Sequence, residues 1–280
     1  MGAADAVPGV SGGTIALITG VYRRFIEALA SFKPDLLNLL LTRQWAKLWQ
    51  RIDGNFLFSL GAGILLSLLS VLHAMHWLLE RAAPLLWAFF MGVILISLVH
   101  LARQQTWNAK RLALFALGFA GSLGLVFLAA IDLAATPLML VLGGALAISA
   151  MLLPGVSGSF ILVLLGLYPQ IVEAIHDRDI QVIAWVALGC LIGVLSFSQF
   201  LKWLMNNWYS PVLCCMLGVI AGALLKVWPW QANEQWFLPS TYATYTGQNE
   251  WLFASVVSFF IGVLLSGLLF SYSTKSESQG

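Results

Sequence analysis

Hydrophobic positions in this chain come in long unbroken runs rather than in alternation. Six runs approach or exceed the ~20 apolar residues that a helix needs to cross a bilayer. They are 55–79, 84–102, 112–131, 181–204, 211–228 and 251–271. Strands of a transmembrane barrel alternate apolar with polar residues, and continuous runs such as 56–72 and 251–270 exclude that reading. The pattern predicts an all-α polytopic membrane protein. Two further apolar stretches, 8–22 and 137–168, do not qualify as spans, and the second is broken by Leu153-Pro154-Gly155. Pro followed by Gly stops a lipid-exposed helix, because the freed backbone groups need partners that lipid cannot supply. The arm 157–168 is about 18 Å long at 1.5 Å per residue, roughly half of a ~30 Å hydrocarbon core. Two such arms joined by the Pro-Gly turn predict a re-entrant hairpin over 137–168.

Composition agrees. Of 280 residues, 60% are hydrophobic and 9% are charged, against about 25% charged in soluble domains. That excludes an ordinary cytosolic enzyme, a disordered chain and a secreted disulfide scaffold. Cys190, Cys214 and Cys215 all lie in apolar runs, where thiols behave as small hydrophobes; no metal-ligand spacing is present. Segment 33–51 mixes Lys33, Arg43, Lys47 and Arg51 with leucines and with Trp45 and Trp49. It is expected to lie in the membrane interface. Residues 272–280 read as a polar tail.

The chain repeats itself. Pro8-Gly9-Val10-Ser11-Gly12 recurs as Pro154-Gly155-Val156-Ser157-Gly158, at an offset of 146. Ten of the 21 positions from 8 to 28 are identical to their counterparts, including Gly20 with Gly166, Tyr22 with Tyr168 and Glu27 with Glu173. Two repeats follow: 1–131, with a re-entrant motif at 8–22, the interfacial segment and three spans, and 137–271, with the hairpin 137–168 and three spans. An odd number of spans per copy predicts that the second is inverted. Basic residues favour the cytoplasm. With 23–54 inside, Arg23, Arg24, Lys33, Arg43, Lys47, Arg51, Arg103, Lys110, Arg111, Lys202 and Lys275 fall on the cytoplasmic side. Arg81, Arg178 and Lys226 alone fall outside.

Inverted repeats with broken elements are the signature of secondary transporters. A broken helix frees backbone N–H groups that bind anions, and glycine lets a backbone approach a ligand. Ser11, Gly12, Gly13, Thr14, Ser157, Gly158 and Ser159 are therefore candidate contacts for a phosphate or carboxylate, turned by Pro8, Gly9, Pro154 and Gly155. The alternative is a packing turn in which small residues let helices cross. Asp5 stands where the second copy has Met151; it is a candidate coupling residue or a helix cap. Arg23 and Arg24 are candidates for drawing in an anionic headgroup. Tyr22 and Tyr168 read as interface anchors. No His-Glu-x-x-His or Gly-x-Ser-x-Gly pattern occurs, and no base adjoins either serine, so an enzyme is not expected.

The stretch Gly2-Ala3-Ala4-Asp5-Ala6-Val7-Pro8-Gly9-Val10-Ser11-Gly12-Gly13-Thr14-Ile15-Ala16-Leu17-Ile18-Thr19-Gly20 resembles the opening signature of the bacterial polyprenyl-phosphate transporter family (PopT-like), formerly a domain-of-unknown-function family. Leu153-Pro154-Gly155-Val156-Ser157-Gly158-Ser159-Phe160 resembles that family's internal copy. The resemblance implies a substrate, undecaprenyl phosphate. It implies a flippase in the bacterial inner membrane, returning this carrier for peptidoglycan and other cell-envelope glycans. It also implies a further apolar segment before Gly2. No cofactor and no nucleic acid are expected, and a proton or sodium gradient is the candidate driving force. A transporter or channel for a small soluble anion, and a non-transporting membrane scaffold, are the alternatives.

Overall fold

A computed structural model describes residues 1–5, 11–33, 35–128, 133–232 and 235–277. The chain is all-α apart from one short antiparallel ribbon. The first half runs α1 (Gly2–Asp5), α2 (Gly12–Ile18), α3 (Tyr22–Leu29), α4 (Leu36–Leu41), α5 (Trp45–Arg51), α6 (Gly54–Arg103) and α7 (Ala109–Phe127). The second runs α8 (Pro137–Leu152), α9 (Gly158–Leu164), α10 (Tyr168–His176) and α11 (Ile180–Ala223). A 3₁₀ turn (Leu224–Val227), the ribbon β1 (Gln231–Ala232) with β2 (Gln235–Trp236), α12 (Pro239–Thr246) and α13 (Leu252–Glu277) complete it.

The six expected spans map onto four helices. α6 covers 55–79 and 84–102, but it bends at Ala82 (φ −150°, ψ 46°), just ahead of Pro84. α11 bends likewise at Trp208 (φ −139°, ψ 49°), ahead of Pro211. Proline lacks an N–H and its ring crowds the preceding turn, so each helix breaks there. Arg81–Arg103 and Ile180–Val227 are long and apolar enough to cross a membrane; Gly54–Ser67, Pro137–Leu152 and Leu252–Leu268 are shorter apolar helices. Large apolar side chains stand exposed on these helices, among them Phe58, Leu66 and Leu69 on α6 and Phe253, Phe260 and Leu264 on α13. Water would penalise such faces and lipid does not; the chain is a membrane protein.

Segment 33–51 carries two short helices, α4 and α5, separated at Arg43, which takes a left-handed φ of 52°. An Arg51–Asp35 ion pair ties the two together. α13 runs to Glu277, so the polar residues 272–277 continue this helix. No Gly or Pro follows Gly267 before Gly280 to stop it.

The halves match in local geometry as well as in sequence. α2 and α9 are each seven residues long and start at the same offset of 146 as the motif. Each is followed by a left-handed glycine, Gly20 (φ 74°) and Gly166 (φ 70°), and then by α3 or α10. α9 and α10 meet at 110°. Beyond the two kinks, a methyl added at Gly92 would strike the Phe259 carbonyl, and one at Gly262 the Phe89 carbonyl. A methyl at Gly218 would strike the Phe115 carbonyl, and one at Gly118 the Cys215 carbonyl. So the second half of α6 crosses α13 in backbone contact, and the second half of α11 crosses α7 in the same way. The main core gathers Tyr22, Ile26, Leu86, Phe90, Leu201 and Leu217 from α3, α6 and α11.

Candidate functional site

The two signature motifs meet in space. Ser11 and Ser157 hold equivalent positions ahead of α2 and α9 with nearly identical backbones (φ −108°, ψ 129° and φ −101°, ψ 128°). A serine here ordinarily caps its own helix, yet neither side chain does. The Ser11 hydroxyl is buried, with the residue 5% exposed, and has no hydrogen-bond partner among the described residues. A methyl added at Gly13 would come within 3.3 Å of this hydroxyl and 3.2 Å of the Met151 carbonyl, so the two motifs approach closely here. The Ser157 and Ser159 hydroxyls pair at 2.9 Å and are less enclosed.

Two hydrogen bonds lock the motifs together. The Gly155 N–H donates to the Thr14 hydroxyl oxygen at 2.8 Å, and the Tyr22 hydroxyl donates to the Leu152 carbonyl at 2.7 Å. Gly155 has φ 86°, a left-handed conformation that glycine adopts without strain. Tyr22 is 1% exposed and Tyr168 is 41% exposed. The interface-anchor reading therefore fails for Tyr22. Its partner is a carbonyl 130 residues away, a contact no local pattern announces.

Asp5 sits at the same seam. The Gly12 N–H donates to its carboxylate at 2.7 Å, so in this conformation Asp5 caps α2 and occupies one expected headgroup donor. Pro8 and Gly9 lie outside the described residues. Gly158 packs tightly on α8, facing the Ala147 carbonyl. Arg23 and Arg24 are not at the seam. Arg23 pairs with Glu27 at 3.0 Å. Arg24 bonds Asp53 through two nitrogens, at 2.6 and 3.0 Å; this charge-assisted pair holds the Asp53 carboxyl below its ordinary range.

One cation near the second motif was not anticipated. The Lys226 ammonium lies 2.9 Å from the centroid of the Phe160 ring, next in sequence to Ser159. The signal was available: Lys226 is one of three basic residues that the charge count puts outside. Hydroxyls and an ammonium are groups that bind oxyanions, while the seam's Gly12 and Gly155 N–H groups are engaged by Asp5 and Thr14.

The comparisons with known proteins fit this chemistry. A family model described as undecaprenyl phosphate translocase-like matches residues 1–245. The chain belongs to that family. A polyprenyl-phosphate transporter of Vibrio cholerae serotype O1 is 36% identical over 285 residues, covering 96% of this chain and 92% of the relative. A polyprenyl-phosphate transporter of Staphylococcus aureus is 26% identical over 296 residues, covering 99% and 95%. Both family relatives are named as transporters, not as enzymes. No solved structure matches the chain.

Proposed function

We propose that the chain is a flippase for a polyprenyl phosphate, of the undecaprenyl class, in the bacterial inner membrane. The headgroup passes through the seam between the motifs while the tail stays in lipid. The observation that carries this reading is the buried Ser11 hydroxyl, without a partner among the described residues, at the junction of two duplicated motifs. Buried polar groups are nearly always satisfied, and a phosphate oxygen would satisfy this one. Ser157, Ser159 and Thr14 add hydroxyls, and Lys226 adds charge. The names of the relatives supply the lipid.

The Asp5 carboxylate on the Gly12 N–H holds the place that a phosphate oxygen would take. Carboxylate and phosphate cannot both sit there without repulsion. Protonation or withdrawal of Asp5 would open the site, which makes Asp5 the candidate for coupling to an ion gradient. The matched helices, kinks and glycine crossings support two inverted repeats exchanging access to a fixed site. The enclosed Ser11 and the more open Ser157–Ser159 pair fit one such asymmetric state. Recycling of the carrier to the cytoplasmic leaflet is the direction proposed.

A polyprenyl phosphate bearing a photoreactive group beside its phosphate tests the placement. Adducts are expected at 11–18 and 151–160. Adducts confined to α12 or to α4 and α5 would contradict it.

A further inference from the structure

A cavity of about 390 Å³ opens at the far end of α2 from Ser11. Seven residues of helix separate the two, about 10 Å at 1.5 Å per residue. The volume lies in the range of small-molecule sites, about 300–1,000 Å³. Tyr22, Arg23, His100, Gln104, Gln105 and Tyr209 contribute to its polar wall, and no carboxylate lines it among the described residues. Leu17, Met205 and Leu213 supply apolar surface.

The polar groups are held in place. Arg23 reaches Glu27 through Nε and stands 5.9 Å above the Tyr209 ring. The Gln104 amide nitrogen and the His100 Nε2 are 3.0 Å apart, and the His100 ring stacks on Phe270 at 4.1 Å. The Ser210 hydroxyl donates to Gln105 Oε1 at 2.9 Å, leaving the amide NH₂ as that side chain's remaining polar group. Tyr22 belongs to both places: it lines the cavity, and its hydroxyl bonds the Leu152 carbonyl beside the second motif.

We propose that this cavity is a second anion site, which docks a phosphate monoester headgroup at the end of its passage past Ser11. The proposal rests on the lipid-phosphate reading of the seam. A planar guanidinium and two amides match phosphate oxygens. The adjoining apolar wall matches the first carbons of a lipid tail. Free inorganic phosphate shares the headgroup chemistry but leaves that wall unused. Glu27 is the nearby opposing charge, so neutralising it strengthens binding.

Equilibrium binding to the full chain in nanodiscs tests this, with radiolabelled farnesyl phosphate as probe and inorganic phosphate as competitor. The wild type is expected to show two classes of site. Arg23→Gln with Gln104→Leu removes one class, weakening it at least about tenfold, the order lost with a hydrogen bond to a charged group. Arg23→Lys restores part of it, and Glu27→Gln tightens it. Leu213→Trp fills the cavity without changing charge and removes the same class, and retention of the serine-dependent class in that variant separates occupancy from misfolding. Ser11→Ala with Ser157→Ala removes the other class. Competition by inorganic phosphate alone, with farnesyl phosphate no better than phosphate, would overturn the lipid source. A single class unaffected by the Arg23 and Leu213 variants would overturn the cavity proposal and leave the seam standing. Loss in those variants with none in the serine variants would overturn the seam reading instead.

Discussion

The Thr14 hydroxyl accepts a hydrogen bond from the Gly155 backbone N–H at 2.8 Å, joining two copies of one motif across 141 residues. Thr14→Val keeps the shape and removes the acceptor. An unsatisfied buried donor costs about 1–3 kcal/mol, so Thr14→Val is expected to lower the thermal midpoint in detergent, and Thr14→Ser to keep it. Equal midpoints for the two variants would show that the bond does not hold the seam.

Tyr22 and Tyr168 are repeat counterparts with different surroundings. Tyr22→Phe loses the bond to Leu152 and is expected to cost about 0.5–1.5 kcal/mol. Tyr168→Phe is expected to change nothing measurable, because Tyr168 is exposed. Paired denaturation curves of the two variants decide it.

Glycines at the helix crossings divide by what faces them. Gly92→Ala and Gly218→Ala push a methyl into a backbone carbonyl of the facing helix. Each is expected to destabilise by about 1–3 kcal/mol, the usual cost of overpacking. Gly61 has open space around it, so Gly61→Ala is expected to be neutral or to gain up to about 1 kcal/mol in helix propensity. Thermal midpoints of the three alanine variants test the contrast.

The Arg24–Asp53 pair makes stability depend on pH in one direction. Arg24 holds Asp53 below its ordinary carboxylate range. A depressed carboxylate stabilises the fold above its unfolded pKa, and the contribution disappears as pH falls through the folded one. Asp53→Asn is therefore expected to lower the midpoint slightly at pH 7 and not at all once pH is below that range. Because the pair is exposed, the difference should shrink in high salt.

Much of this molecule is written locally, and the rest is not. Pro84 and Pro211 announce the kinks, because proline's missing N–H acts on its own helix. The offset of 146 announces α2 and α9, because equal sequences adopt equal turns. Interlocks between copies left no such mark. Nothing near Tyr22 points to Leu152, nothing near Arg24 points to Asp53, and Lys226 reaches Phe160 only once the chain has folded back. The serines were legible as candidates. That Ser11 would be buried without a partner among the described residues while Ser157 pairs with Ser159 depends on tertiary packing alone.

The claim that this seam carries a lipid phosphate between leaflets is tested most directly in proteoliposomes. The measurement is the fraction of a labelled polyprenyl phosphate open to a membrane-impermeant phosphatase, followed over time under proton and sodium gradients. The account predicts protein-dependent exchange between leaflets, slowed at least about tenfold by Ser11→Ala with Ser157→Ala, the order lost when hydrogen bonds to a charged group are removed. An accessible fraction identical to that of protein-free liposomes under both gradients would contradict it.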